Sequence, residues 1–215
     1  MLEPSVQRDA WELDTRIGLG FAYLALRGWG ALEIETTVQP ALALSEGLQR
    51  MDQWLAACYL VSFHWTTTLR LDDARDLATT TMQHGERFGL ESHVLMGHAM
   101  LSAIAGSLGD FETARRHTDG FHALYDLERD SQLAPLHNMK CLNDGWAAHH
   151  LWIMGWPDQA KKVADDIVVH ARLIGNPFHL ILCLAHGGAC FFYRREADPL
   201  HAWLDEASRL TKEHV

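Results

Sequence analysis

The sequence predicts an all-α protein, an α-solenoid of about five stacked antiparallel helix hairpins. Three observations predict it. Apolar residues recur at three- and four-residue spacing nearly everywhere, two-residue alternation is scarce, and one helix–turn–helix pattern returns about every 41 residues. In Met51 to Thr68, for example, Leu55, Cys58, Tyr59, Ser62, Phe63 and Trp65 share one broad helical face.

The first element is a hairpin over about 9–48, turning at Gly28, and the second spans 50–88, turning at Leu69. The third, 91–126, turns at Gly109-Asp110-Phe111-Glu112-Thr113-Ala114, where a small residue follows an aromatic by three places. The polar stretch 127–139, with Pro135, reads as an inserted loop. The fourth hairpin, 140–174, repeats the turn as Gly155-Trp156-Pro157-Asp158-Gln159-Ala160, with proline where an early helical position tolerates it. The fifth, 177–213, turns at Arg195. Turn positions 28, 69, 109, 155 and 195 step by 41, 40, 46 and 40, and the loop accounts for the long step. A second marker is Gly47, Gly89 and Gly175, each after a helical segment, where glycine can take the left-handed backbone that ends a helix.

Each pair of helices carries more apolar surface than it can bury alone. Stacking on neighbours removes it from water and leaves a groove on one side. The expectation is one helical-repeat domain over 1–215, part of a longer multidomain protein.

Gly109, Asp110, Phe111 and Ala114 resemble the glycine, acidic, aromatic and alanine positions of a tetratricopeptide repeat, with Ser102, Ala148 and Gly188 at its small-residue position. The period exceeds the usual ~34 residues, and the typical tryptophan position holds His98 or Asp144. Phe121 to Asp126, Gly155 to Ala160 and Ala171 to Phe178 resemble the C-terminal repeat region of bacterial signal-transduction ATPases. Those proteins join a nucleotide cyclase or a LuxR-type DNA-binding module to an ATPase and tetratricopeptide-like repeats. The resemblance runs from about Trp11 to Leu210. It implies a cytoplasmic module that binds a protein or peptide, senses or holds that partner, and regulates an attached ATPase or cyclase domain.

Charge narrows the partners. Eighteen Lys and Arg stand against 28 Asp and Glu, a formal −10, which opposes binding of nucleic acid or of an anionic membrane by this region. The apolar run Phe178 to Tyr193 is shorter than a membrane span. Cys58, Cys141, Cys183 and Cys190 form no Cys-x-x-Cys pair and read as buried thiols.

No catalytic set is apparent, so an enzyme is not expected. There is no Gly-x-x-x-x-Gly-Lys phosphate loop, Gly18-Leu19-Gly20 lacks a third glycine, and no nucleophile elbow occurs. Among the 14 histidines, His179 and His186 align with Cys183 and Cys190. They make a stripe about 16 Å long on one helix, whereas zinc needs ligands that converge. No metal or cofactor is expected.

Recognition is the remaining chemistry. Trp29 and Trp156 fall at turns and read as wedges between helices, and Trp65 reads as core. The repeat pattern places Tyr59, Phe63, Thr66, Met96, His149 and Trp152 on the first-helix face that lines the groove in similar repeats. Aromatic and methionine side chains there suit an apolar or amphipathic peptide. The same residues could instead contact adjacent hairpins. A second functional expectation is a small-molecule effector domain of a transcriptional regulator, with the ligand held between hairpins.

Overall fold

The computed structural model describes residues 5–130, 133 and 138–214. Regular structure among them is entirely helical: α1 (Val6–Arg27), α2 (Leu32–Gly47), α3 (Met51–Thr67), α4 (Leu71–Phe88), α5 (Glu91–Ser107), α6 (Phe111–Leu124), α7 (Leu127–Asp130), α8 (Met139–Ile153), α9 (Pro157–Ile174), α10 (Pro177–Arg194) and α11 (Ala197–His214). Five hairpins imply ten helices. The eleventh is the short α7, which occupies the start of the expected loop 127–139. Residues 131–132 and 134–137 of that loop lie outside the described ones.

The chain divides into two compact units, Met1–Ser107 and Leu108–Val215, where a single domain was expected. The division falls inside the expected hairpin 91–126. In the first unit α5 packs on α4 and α3, and in the second α6 packs on α8.

In the first unit α3 touches α1, α2, α4 and α5. It is apolar almost all round and buries nearly every residue from Trp54 to Thr66, as such a helix must. Each fully buried large apolar side chain, such as Leu60, contributes about 1.5–3 kcal/mol. Helix α4 is amphipathic instead. It buries only Ala74, Ala78, Thr81 and Gly85, small residues that admit a neighbouring backbone, while Asp72, Asp73, Arg75 and Asp76 face water. The approach of α5 is close enough that a Cβ on Gly97 would lie 2.6 Å from Met82 Cβ.

In the second unit α8 packs on α6, α9 and α10, and α10 on α9 and α11. The core joins Cys141, Ile167, Val168, Ala171, Cys183, Leu184 and Leu210. All four cysteines are free and buried. Burial pushes the Cys58 thiol up to about 12 and the Cys190 thiol to about 11, which disfavours thiolate chemistry at both.

The turns repeat in atomic detail. Gly28, Leu69, Gly109, Gly155 and Arg195 have φ of +75°, +64°, +80°, +86° and +59°. At three of them the next residue's N–H reaches five residues back: Arg70 to the Trp65 carbonyl (2.8 Å), Trp156 to Leu151 (2.9 Å) and Glu196 to Phe191 (3.0 Å). That bond satisfies a carbonyl the helix end leaves open. The following helix then starts with Ala74, Ala114 or Ala160 donating to the residue four before it, and all three alanines are fully buried. Asp110 and Asn138 cap α6 and α8 through their side chains, and Asn176 does so for α10.

The second marker holds at Gly89 (φ +67°) and Gly175 (φ +72°) but shifts at the first hairpin. Gly47 is the last residue of α2, and Gln49 takes the left-handed position at φ +56°. The Arg50 N–H there reaches Ser45, so the same bond forms without a glycine.

Candidate functional site

Helix α8 carries the candidate site of the second unit. Its start is set by Asn138, whose Oδ1 accepts from the backbone N–H groups of Lys140 and Cys141. Its close approach to α10 depends on Gly145, where a Cβ would lie 2.9 Å from the His186 ring. That approach brings five rings together. The His149 ring lies 5.6 Å from His186 and 5.9 Å from Tyr193, Trp146 lies 5.7 Å from His186, and Trp152 stacks on Tyr193 at 5.4 Å. His149 Nδ1 and the Tyr193 hydroxyl are 3.3 Å apart.

Trp146, His149, Trp152 and His186 are half-buried, while Tyr193 (38% exposed), Phe192 (67%) and Ile153 (59%) open to solvent beside them. Trp152 is anchored from below, on the cluster of Ala148, Ala160, Ala164 and Cys190. Large rings held rigid on packed helices, with an apolar rim exposed, form a surface suited to binding an amphipathic segment.

On its other side α8 walls a cleft of about 220 Å³ with α6 and α9. Ala147, Leu151, Met154 and Val163 supply the apolar part of its lining, and Arg115, Thr118, Asp119, His122 and Gln159 the polar part. Arg115 lies 4.8 Å over the Trp156 ring, so this tryptophan is a turn wedge with a cation on its face. His150, only 5% exposed, completes the wall and leaves Nδ1 without a hydrogen bond. Burial, and then its neighbour His149, depress its pKa to about 4. It is a neutral imidazole at pH 7.

Beneath the cleft Asp144 is buried yet ionised. His122 Nε2 donates to Oδ1 at 2.6 Å, Asn143 Nδ2 donates to the same oxygen at 3.0 Å, and Lys140 pairs with Oδ2. Burial pushes this carboxyl up, but the His122 and Lys140 contacts outweigh it and hold it below the usual range.

The six residues expected to line a groove part company. His149 and Trp152 sit together on the α8 surface. Tyr59, Phe63, Thr66 and Met96 belong to the first unit and are buried, so they are core there and not groove. Tyr59 is enclosed by Phe21, Trp29 and Phe63 at 5.3–6.3 Å, and Thr66 Oγ1 donates to the Ser62 carbonyl of its own helix. Trp29 thus acts as the expected wedge, and Trp65 is core, with Nε1 donating to Glu35 at 2.9 Å. The sequence reading missed Trp146, His186 and Tyr193. Gly145 admits α10 against α8, but a lone glycine in the sequence does not say which helix it faces; Gly187 of α10 is closed by Trp203 and the Ala164 carbonyl instead.

Among the described residues, no three His, Cys, Asp or Glu side chains converge as metal ligands. His179, Cys183 and Cys190 are buried in the core. The Cys141 thiol, and then burial, push the Cys183 thiol up. No described helix is long and apolar enough to cross a membrane.

Fold and surface together define an all-α chain of helices packed in neighbouring pairs, consistent with a helical repeat. Its fold is similar to the crystal structure of BtubC (BKLC) from P. vanneervenii, with a TM-score of 0.60 over 98% of this chain and 92% of that one, at 14% identity. At that identity the likeness concerns fold alone. No family model matches the chain, and no curated protein matches it in sequence.

Proposed function

We propose that this chain is a non-catalytic, tetratricopeptide-like interaction module. It binds a peptide or a neighbouring domain in the cytoplasm and regulates an attached signalling ATPase. The observation that carries this reading is the ring cluster of α8 and α10, half-buried and rimmed by exposed Ile153 and Phe192. The repeated turns at 28, 69, 109, 155 and 195 support an array of five hairpins, since one local geometry recurs at nearly equal spacing.

A direct test is selection of peptides from a displayed library against the purified protein, followed by fluorescence anisotropy. Tyr193→Ala and Phe192→Ala remove exposed rings at little structural cost. The expected result is a loss of affinity of about tenfold or more for selected peptides. Equal affinity for wild type and both variants would reject the reading.

The cleft of α6, α8 and α9 favours a second reading, a small-molecule effector site, because its lining combines an apolar floor with Arg115, Thr118 and Gln159. Thr118→Trp fills that cleft without touching the rings of α10. Loss of effector binding with peptide binding intact would assign the cleft to a ligand.

A further inference from the structure

The first unit holds a cleft of about 460 Å³ where the C-terminal ends of α2 and α4 meet the start of α3 and the turn into α5. Glu46, Met51, Trp54, His84 and Phe88 are among its lining residues. Three aromatic rings form one wall: His84 lies 4.9 Å from Trp54 and 4.7 Å from Phe88. Glu46 is the only carboxylate among the lining residues, and no lysine or arginine is among them. The Glu46 carboxylate has no salt bridge among the described residues. The nearest cation in sequence, Arg50, is turned away, to Asp14 at 3.0 Å.

Ring faces carry negative potential, and a carboxylate beside them adds a full charge to the same field. Met51 and Leu90 supply an apolar surface for a hydrocarbon stem. The wall already holds one cation from outside: the Arg87 guanidinium lies 5.1 Å over the Phe88 ring. His93 stacks 5.7 Å from Trp54 behind the wall, and burial lowers its pKa, which favours the neutral ring.

From this arrangement we propose that the cleft binds a basic side chain, the guanidinium or ammonium of an arginine or lysine in a partner peptide. The cation lies against Phe88 and His84, its stem on Met51 and Leu90, and Glu46 closes the charge. The formal −10 of the chain favours approach of such a partner. The site is independent of the α8 surface and stands or falls without it.

The test is NMR titration of the full chain with acetyl-arginine amide and with acetyl-citrulline amide, nearly the same shape without the charge. Arginine at millimolar concentration is expected to shift signals of Trp54, His84 and Phe88, and citrulline to bind at least fivefold more weakly. Glu46→Gln weakens arginine binding about fivefold, and Arg87→Ala, which removes the competing cation, tightens it. Both positions are exposed, so the fold is retained. Equal binding of citrulline, shifts confined to residues outside the cleft, or an unchanged affinity in Glu46→Gln would each overturn the proposal.

Discussion

Leu69 holds the same left-handed place in its turn, φ +64°, that Gly109 holds in another at φ +80°. A leucine there strains against its own carbonyl, by about 1–2 kcal/mol. Leu69 is also 76% exposed, so it recovers little by burial. Leu69→Gly is therefore expected to stabilise the protein by about 1 kcal/mol. At Gly109 an added Cβ meets open space, so the backbone alone sets the penalty. Gly109→Val should lose about 1–3 kcal/mol. Urea denaturation of the two variants reads both signs, and a stabilised Gly109→Val would refute the turn assignment.

Spacing found the turns because the backbone requirement recurs whatever the side chain. Leu69 carries the ending of the turn pattern, Asp72-Asp73-Ala74, and Arg195 a looser version of it, neither with the glycine that marks the other three. Gly47 misled for the complementary reason: a glycine near a helix end need not be the left-handed residue, and Gln49 is. The groove was harder to read. A helical face can be assigned to solvent only where the helix has a polar side to contrast with it. Helix α3 has almost none, so Tyr59, Phe63 and Thr66 looked no different from surface residues in the pattern. The ring cluster of α8 and α10 depends on which helices meet across Gly145, a tertiary fact that no local pattern encodes.

Asp144 is a buried carboxylate kept charged by His122 and Lys140. Removing its charge strands both donors, so Asp144→Asn is expected to destabilise by about 1–3 kcal/mol at pH 7. The folded carboxyl lies below its unfolded value, so its contribution is present above about pH 4. It is lost as pH falls through the folded value. The gap between wild type and variant in urea unfolding should therefore narrow under strong acid. A gap that is unchanged down to pH 2 would show that the ion pairs contribute nothing.

His150 is linked to pH in the same direction, although here the form the fold accepts is the neutral one. Its folded pKa, about 4, lies below the unfolded value of about 6.5. Its neutral form is what the fold accepts, so stability is complete above the unfolded value and declines as pH falls from there toward 4. Between pH 8 and pH 5 this residue alone accounts for a loss of about 2 kcal/mol. Burial lowers His93, His98, His149, His170 and His179 in the same direction, which steepens the decline. His150→Gln should make the fall in melting temperature with acidification shallower. An identical slope in variant and wild type would exclude His150 as a contributor.

Trp152 and Tyr193 stack at 5.4 Å but differ in what lies beneath them. Trp152 rests on Ala148, Ala160, Ala164 and Cys190, whereas Tyr193 faces solvent. Truncating the tryptophan opens a gap over the alanine cluster, so Trp152→Ala should lose about 2–3 kcal/mol of stability together with any peptide affinity. Tyr193→Ala should lose affinity with stability within about 0.5 kcal/mol of wild type. Melting curves and anisotropy on the same two variants separate packing from recognition. If Tyr193→Ala destabilises as much as Trp152→Ala, the rings are one structural unit and the surface they form is core that happens to be visible from solvent.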